Sequence, residues 1–324
     1  MLLLVSAMLS CLLVILLIPP LRKLAIKIDF VDKPRPDLER KIHREPIPLT
    51  AGIAIFIGFF ATYFISAGFT GAGLTDKSAA IFCGSLLILG IGMLDDWYKT
   101  RGKELASLPK MIVQVAAALI VYFSGIAFEG FTNPFNGHYI SLPEWLQLIL
   151  TILWIFGVTT VINFSDGIDG LAGGLSAISG GTLFIVALTM GQSESALMSV
   201  ILVGSAIGYL RYNKPPARVF MGDAGATFLG FMLGIIALDG AFKGATLASL
   251  FIPIFALGVP ILDNVIVIIR RLIQQKPIYK ADASQAHYRL LAIGLNQTQT
   301  LVFLCLLNIC FGLTAIILAL QSDM

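Results

Sequence analysis

The sequence predicts an all-α protein in which a single integral membrane domain, residues 1–324, forms a bundle of about ten transmembrane helices. Composition is the first reason: 57% of the residues are hydrophobic and only 13% are charged, and the mean hydropathy is +0.89. No soluble core could bury so many apolar side chains. The composition also excludes a disordered chain, and a net charge of only +3 excludes a basic nucleic-acid binder.

The second reason is a series of apolar runs, each near the roughly 20 residues that a helix needs to cross a bilayer. Backbone polar groups must be satisfied inside lipid, so each run is predicted to be helical. The eighth run is short and contains glycine, so its ends are not defined, and eleven spans remain an alternative to ten. The ten runs are Leu2–Ile18, Leu49–Phe69, Ser78–Leu94, Met111–Phe128, Leu146–Ile162, Leu171–Met190, Ser195–Leu210, Ala224–Leu238, Ala245–Ile269 and Leu301–Leu320.

The third reason is the distribution of basic residues between the runs. Twenty lysines and arginines lie in the odd-numbered connections and only two in the even-numbered ones. Cytoplasmic loops carry an excess of Lys and Arg, so the odd connections are predicted to face the cytoplasm and both termini to face outward. The first run has no basic residues before it and no small-residue cleavage site, which favours an uncleaved span over a signal peptide.

The first cytoplasmic connection contains His43 within the proline-stiffened basic stretch Arg40 to Pro48. A histidine there suits a general acid or a phosphate donor, and the alternative is an ordinary contact with lipid headgroups. The second connection opens with Asp95 and Asp96, where the third span ends. Adjacent carboxylates raise one another's pKa unless a cation or a proton intervenes. The pair therefore indicates a bound cation or a shared proton, and the alternative is a solvated helix end.

The third connection reads Asn163-Phe-Ser-Asp-Gly-Ile-Asp-Gly-Leu-Ala-Gly-Gly174 and has no basic residue. Asp166 and Asp169 share a face if the stretch is helical, and its glycines let backbone amides approach a phosphate closely. Two acids without basic partners at a membrane surface favour a metal. The alternative is a polar turn with an N-cap aspartate before the sixth span.

The fourth connection leads through Arg218 to Asp223, which lies between glycines at the start of a span. Asp223 could merely cap the helix, while Arg218 suits phosphate oxygens. In the ninth run, Asp263 is predicted to lie about 10 Å inside the helix, measured back from Arg270 by the helical rise. An acid at that depth faces a polar cavity or a partner, for which Arg270 or a metal are the candidates.

The motifs LDDWY, NFSDGIDGLAGG and VFMGDAG, in this order on the cytoplasmic connections, resemble those of polyprenyl-phosphate N-acetylhexosamine-1-phosphate transferases (glycosyltransferase family 4). The resemblance is strongest to the bacterial branch that uses UDP-GlcNAc, and phospho-MurNAc-pentapeptide translocase is a more distant relative. It implies transfer of a sugar-1-phosphate from a UDP-sugar to undecaprenyl phosphate, with release of UMP and dependence on Mg²⁺ or Mn²⁺. The product would begin a cell-surface polysaccharide.

The resemblance also implies a multi-pass protein of the bacterial inner membrane with its active site facing the cytoplasm, and it leaves a homodimer open. By motif, Asp223 is the first choice for a metal ligand, with Asn163 as its companion. Asp95 and Asp96 would position the lipid phosphate and the metal, and Asp166 and Asp169 would serve the nucleotide. The remaining substrate-binding candidates are Lys110, Arg218, His287, Arg289, His43 and Asp263.

One departure from the family pattern concerns the sugar. The bacterial branch commonly carries HIHHR in the last cytoplasmic connection, whereas this chain reads Ser284-Gln-Ala-His-Tyr-Arg289. That cluster is associated with the sugar end of the donor in the family. The change leaves GlcNAc as the first expectation and makes N-acetylfucosamine or N-acetylquinovosamine alternatives.

Two other classes compete with an enzyme. A secondary transporter would also suit ten spans and an intramembrane acid, but transporters place coupling acids near the midplane, and most acids here lie in cytoplasmic connections. A catalytically inactive relative acting as a scaffold is the other alternative, and the intact aspartates argue against it.

Overall fold

A computed structural model of the chain describes residues 1–34, 45–71, 73, 75–103, 105–133, 138–241, 251–275 and 284–322. His43 lies outside the described residues. The helices are α1 (Leu2–Lys27), α2 (Ala51–Thr70), α3 (Asp76–Thr100), α4 (Ser107–Phe123), α5 (Glu144–Phe164), α6 (Leu171–Thr189), α7 (Ser193–Asn213), α8 (Gly222–Ala241), α9 (Phe251–Ala256), α10 (Gly258–Ile273), α11 (Ala286–Ala292) and α12 (Gln297–Ser322).

Eight of the described helices are long and apolar enough to cross a membrane, and α4 is a shorter apolar helix of 17 residues. This confirms the predicted all-helical, multi-pass membrane fold. Two small antiparallel hairpins interrupt it. In the first, β1 (Val31–Asp32) pairs with β2 (Ile47–Pro48), and in the second, β3 (Gly130–Thr132) pairs with β4 (Tyr139–Ser141).

The ninth predicted span is wrong as a single helix. Its first residues lie outside the described part, and the remainder is divided into α9 and α10 at Leu257. Pro260 explains the break, because its ring clashes with the carbonyl four residues earlier, which belongs to Ala256, and its nitrogen cannot donate to that carbonyl. Ala256 is the last residue of α9. Proline is tolerated in the first turn of α10, because the backbone N–H groups of a first turn have no partner within the helix.

Three helices, α1, α3 and α4, extend further toward the predicted cytoplasmic end than the apolar runs indicate. Helix α3 continues to Thr100, so Asp95 and Asp96 are helical, and α4 begins at Ser107, so Lys110 lies in its first turn. Helix α1 likewise continues through Pro19 to Lys27. Pro19 has no N–H to donate to the Ile15 carbonyl, and the Tyr212 hydroxyl of α7 donates to that carbonyl at 3.1 Å.

Helix α8 occupies the centre of the bundle, and 94% of its most apolar 18-residue stretch is buried. It packs against α2, α3, α5, α6 and α7. Small residues allow close approach: a Cβ at Gly92 of α3 would overlap the backbone of Ala224 in α8. Farther along the helix, Phe228 packs against the rings of Phe56 and Phe59 of α2. Because neighbouring helices surround α8, the residues of its first turn, including Asp223, have a defined position.

Helices α3 and α8 run antiparallel along their length. Lys77 near the start of α3 pairs with Asp239 near the end of α8 at 2.9 Å, while Lys99 near the end of α3 pairs with Asp223 at the start of α8 at 2.6 Å. The first hairpin packs at the end where Lys99 meets Asp223. There the Phe220 N–H donates to the Pro48 carbonyl, and the Ala51 N–H donates to the Phe220 carbonyl. The connections predicted to be cytoplasmic thus meet at one end of the bundle.

Candidate active site

The centre of the candidate site is a cluster of two aspartates and two lysines. The ammonium of Lys99 lies 2.9 Å from an Asp95 carboxylate oxygen and 2.6 Å from an Asp223 oxygen. The ammonium of Lys110 lies 3.1 Å from the same Asp95 oxygen and 3.8 Å from the second Asp223 oxygen. Asp95 is completely buried, whereas the Asp223 side chain is 18% exposed. Asp223 is therefore the more accessible of the two carboxylates, and Asp95 contacts both lysines from the buried side.

Asp96 holds the beginning of α8. Its two carboxylate oxygens accept hydrogen bonds from the backbone N–H groups of Asp223 at 2.9 Å and Ala224 at 3.1 Å. A negative charge there is favoured, because the first N–H groups of a helix have no partner inside the helix. Gly222 has φ +66°, and a Cβ at this position would overlap the Asp96 carboxylate. The geometry gives Asp96 a positioning role toward Asp223.

The segment between α5 and α6 lies beside this cluster. Burial raises the pKa of Asp166 to about 7, the charges of Asp223 and Asp169 add to the effect, and Lys99 opposes it. The Asp169 carboxylate accepts a hydrogen bond from the Ala217 N–H at 2.9 Å. Both aspartates of the motif are thus at the predicted site, with Asp166 toward the lysine cluster and Asp169 tied to the α7–α8 connection.

The segment that contains α11 closes over the α5–α6 connection. His287 is 1% exposed, and a Cβ at Gly167 would overlap its imidazole ring. Burial lowers the pKa of His287 to about 4, so the ring is neutral at pH 7. Asp263 of α10 accepts a hydrogen bond from the Ala286 N–H at 2.8 Å and lies 3.4 Å from the Arg289 guanidinium. The predicted partner of Asp263 was Arg270 or a metal, and the contact in the structure is with Arg289.

Three polar atoms of this segment are buried and have no hydrogen-bond partner within the described part of the chain. They are Gln285 Oε1, His287 Nε2 and Arg289 Nε. Buried polar groups in native proteins are almost always satisfied, so each such group requires an explanation. They occupy the same short segment in which the sequence departs from the family pattern.

Two other predicted residues lie less centrally. Asn163 is in the last turn of α5, three residues before Asp166, and within the described residues no hydrogen bond joins its side chain to Asp223. Arg218 lines a cavity together with Arg211 and Lys214, one residue from the Asp169 contact. The structure brings together Asp95, Asp96, Asp166, Asp223 and Lys110 and places Arg218 to one side.

Lys99 is the residue that sequence reasoning missed. It lies four residues after Asp95, which is the spacing at which oppositely charged side chains meet on one face of a helix. The apolar run ends at Leu94, so the sequence predicts a connection there rather than a helix, and the helical spacing of Asp95 and Lys99 is not evident. In the structure α3 continues to Thr100 and carries Lys99 into the cluster.

The residues present fit a magnesium ion that is shared with a substrate. Among the described residues, no three His, Cys, Asp or Glu side chains converge on one metal position. Mg²⁺, however, is usually bound by one or two carboxylates together with substrate phosphates and water. The partly exposed carboxylate of Asp223 provides such a ligand, and the amide oxygen of Asn163 is of the same hard type. Mg²⁺ does not require that all of its ligands come from the protein.

Comparison with known proteins gives the family. The pattern of glycosyl transferase family 4 matches residues 78–241, which run from the first turn of α3 to the end of α8. A Bacillus subtilis protein named probable undecaprenyl-phosphate N-acetylglucosaminyl 1-phosphate transferase is 38% identical over 97% of this chain and 84% of its own length. A Mycobacterium leprae decaprenyl-phosphate N-acetylglucosaminephosphotransferase is 28% identical over 89% of this chain and 77% of its own.

A second type of transferase matches part of the chain. A phospho-N-acetylmuramoyl-pentapeptide-transferase of Listeria welshimeri is 31% identical over 58% of this chain and 60% of its own length. The family pattern covers Asp95 and Asp96 of α3, Asp223 of α8 and the connection between α5 and α6. By these matches, and by the helical fold that brings the same motifs together, the chain belongs to glycosyl transferase family 4.

Proposed function

We propose that this protein transfers a sugar-1-phosphate, with GlcNAc-1-phosphate as the first expectation, from a UDP-sugar to undecaprenyl phosphate. The reaction takes place at the cytoplasmic surface of a bacterial inner membrane and begins a lipid-linked polysaccharide. The observation that carries the proposal is the cluster in which Lys99 and Lys110 lie between Asp95 and Asp223 at one end of a membrane-spanning bundle. The names of the relatives in B. subtilis and M. leprae support the same reaction.

In this reaction an oxygen of the lipid phosphate attacks the β-phosphorus of the UDP-sugar. The bond from that phosphorus to the bridging oxygen of the α-phosphate breaks, and UMP leaves with the electron pair. Phosphoryl transfer depends mainly on positioning and on cations that neutralise the phosphate oxygens. Lys99 and Lys110 supply two positive charges at a point that two polyanionic substrates must both approach.

A general base contributes little here, because a phosphate monoester with a second pKa near 6 is largely ionised at pH 7. We therefore assign Asp95 and Asp96 to positioning. Asp95 accepts hydrogen bonds from Lys110 and from the Leu105 N–H, and Asp96 holds the first turn of α8. Removing either carboxylate would displace the groups that face the substrates.

A magnesium ion would be held by Asp223 with Asn163 as its companion, and when bound it would neutralise the diphosphate of the donor. Asp223 is already paired with Lys99. The chain's own role is to keep this carboxylate fixed at the start of α8 and partly exposed, with a lysine on each side.

The donor sugar is assigned to the segment around His287. This segment carries Gln285, His287 and Arg289 at the positions of the family's histidine cluster, which the resemblance associates with the sugar end of the donor. The substitution of family histidines by Gln285 and Tyr288 keeps N-acetylfucosamine and N-acetylquinovosamine as alternatives to GlcNAc. Both sugars lack the 6-hydroxyl group, so a site with fewer polar side chains could accept them.

The experiment is UMP release by purified protein in detergent with undecaprenyl phosphate and Mg²⁺. UDP-GlcNAc is compared with UDP-GalNAc, UDP-N-acetylfucosamine and UDP-N-acetylquinovosamine. We expect turnover with UDP-GlcNAc that is abolished by EDTA and by Asp223→Asn. The matched control is Asp76→Asn, which removes an exposed aspartate from the first turn of α3, at its opposite end from Asp95.

Turnover with only a deoxy sugar would retain the reaction class and change the donor. Full turnover by Asp223→Asn would remove the proposed metal ligand. No turnover with any of the donors would contradict the proposal as stated.

A further inference from the structure

A basic cavity lies at the predicted cytoplasmic ends of α1 and α7, to one side of the aspartate cluster. It has a volume of about 280 Å³ and is lined by Arg211, Tyr212, Lys214, Pro215, Pro216 and Arg218. Three of these six residues are cationic and none is acidic. Among the described residues, no carboxylate lies within 4.0 Å of a charged group of Arg211, Lys214 or Arg218. Three cations in one small cavity without an acid indicate an anionic ligand.

The walls of the cavity are fixed by backbone contacts. Arg218 N–H donates to the Tyr212 carbonyl at 2.8 Å, and the Arg218 carbonyl accepts a hydrogen bond from Arg22 Nε of α1 at 3.2 Å. The Tyr212 hydroxyl is bonded to the Ile15 carbonyl. These hydrogen bonds fix the cavity where α1 meets α7. Arg22 adds a fourth positive charge beside it.

Its surroundings are those of a lipid-facing surface. Helix α1 is peripheral, since only 22% of its most apolar 18-residue stretch is buried. Its side chains Leu12 and Leu16 are 52% and 59% exposed. On α7, Ile207 is 50% exposed and lies one turn before Arg211, so the two side chains share a face. An apolar surface thus leads along the bundle to a cationic cavity at the membrane surface.

We infer that this cavity binds the phosphate group of an anionic membrane phospholipid, whose acyl chains lie along the exposed faces of α1 and α7. Arginine and lysine are well suited to phosphate oxygens. The volume is slightly below the roughly 300–1,000 Å³ of pockets that enclose a drug-sized ligand, which suits a headgroup rather than a nucleotide sugar. This site is additional to the proposed reaction and does not depend on it.

The test measures lipid binding without substrates. Purified protein in dodecyl maltoside is titrated with dioleoylphosphatidylglycerol, and bound lipid is counted by native mass spectrometry while the unfolding temperature is followed. Parallel titrations use dioleoylphosphatidylcholine, which has no net charge, and glycerol phosphate, which has no acyl chains. The wild-type protein should bind and be stabilised by phosphatidylglycerol and respond weakly to the other two.

The informative variant is Arg211→Gln/Lys214→Gln, because both side chains are exposed and neither belongs to the aspartate cluster. Each basic residue that lines the cavity and meets the lipid phosphate should contribute about a fivefold change in affinity, so half-saturation should require about 25-fold more phosphatidylglycerol. The matched control is Lys23→Gln/Lys27→Gln, which removes the same charge from exposed positions at the end of α1 that do not line the cavity. Its half-saturation should change less than twofold.

Equal binding of phosphatidylglycerol by the two double variants would overturn the inference, because the attraction would then be a general property of the basic surface. A response to glycerol phosphate as strong as that to the lipid would also overturn it, in favour of a site for a soluble phosphate. So would a raised KM for undecaprenyl phosphate in the Arg211→Gln/Lys214→Gln variant, since the cavity would then belong to the acceptor.

Discussion

Lys99 carries a positive charge between Asp95 and Asp223 at the centre of the candidate site. Replacing it by methionine keeps much of the side-chain volume and removes the charge. We expect UMP release by Lys99→Met to fall at least about 100-fold, as for the loss of one electrostatic contact to a transition state.

Lys103→Met is the matched control for this prediction, because Lys103 is an exposed lysine in the turn that follows α3. Its turnover should stay within about twofold of the wild type. Unchanged turnover by Lys99→Met would show that Lys110 alone provides the cation, and partial recovery in Lys99→Arg would support a charge-based role.

His287 gives a prediction about pH. Burial lowers its pKa to about 4 from the usual value near 6.5, so between these values the unfolded chain binds a proton that the folded protein does not. The stability contributed by the neutral ring is complete above pH 6.5 and is lost as the pH falls toward 4. The unfolding temperature of the wild type should therefore fall relative to that of His287→Gln between pH 7 and pH 4.5.

The control for this measurement is His138→Gln, since His138 is exposed and lies at the opposite end of the bundle. It should follow the wild type throughout the pH range. A constant difference between wild type and His287→Gln would mean that the imidazole is solvated in the folded protein, contrary to its burial.

At the scale of elements, the site depends on the close approach of α3 and α8. A Cβ at Gly92 would overlap the backbone of Ala224, whose N–H donates to Asp96. Gly92→Ala should therefore shift the start of α8, weaken that hydrogen bond and destabilise the protein by about 1–3 kcal/mol, the usual cost of overpacking. Both a lower unfolding temperature and slower UMP release are expected.

Gly90 provides a control on the same helix, because a Cβ there would meet no atom within 4 Å. Gly90→Ala should leave turnover unchanged and stabilise α3 slightly, since alanine has the higher helix propensity. Similar losses in the two variants would show that α3 itself, rather than its contact with α8, is sensitive to substitution.

At the scale of the whole molecule, orientation in the membrane follows from the distribution of charge and is open to direct measurement. Single cysteines can be placed in a cysteine-free background at Lys103, after α3, and at Ser193, the first residue of α7. A membrane-impermeant maleimide applied to intact spheroplasts should label Ser193→Cys at once and Lys103→Cys only after permeabilisation. The reverse order would place the aspartate cluster on the outer side and would exclude a cytoplasmic nucleotide donor.

The sequence by itself determined the helical membrane fold and named most of the residues that the structure brings together in the candidate site. Apolar runs indicate spans without knowledge of their neighbours, because a helix satisfies its own backbone in lipid. Motif order was enough to select Asp95, Asp96, Asp166 and Asp223, since these residues stand out against apolar helices. Pro260, near which the ninth predicted span divides into α9 and α10, is also visible in the sequence.

Only the tertiary structure decided which charges meet. The pairing of Lys99 with Asp223 crosses from α3 to α8, a sequence separation of 124 residues, and no local pattern specifies such a contact. The same holds for Asp263 with Arg289 and for the grouping of Arg211, Lys214 and Arg218 away from the aspartates. Local patterns report the free energy of placing a segment in lipid, whereas the partners of a charge depend on how the segments pack.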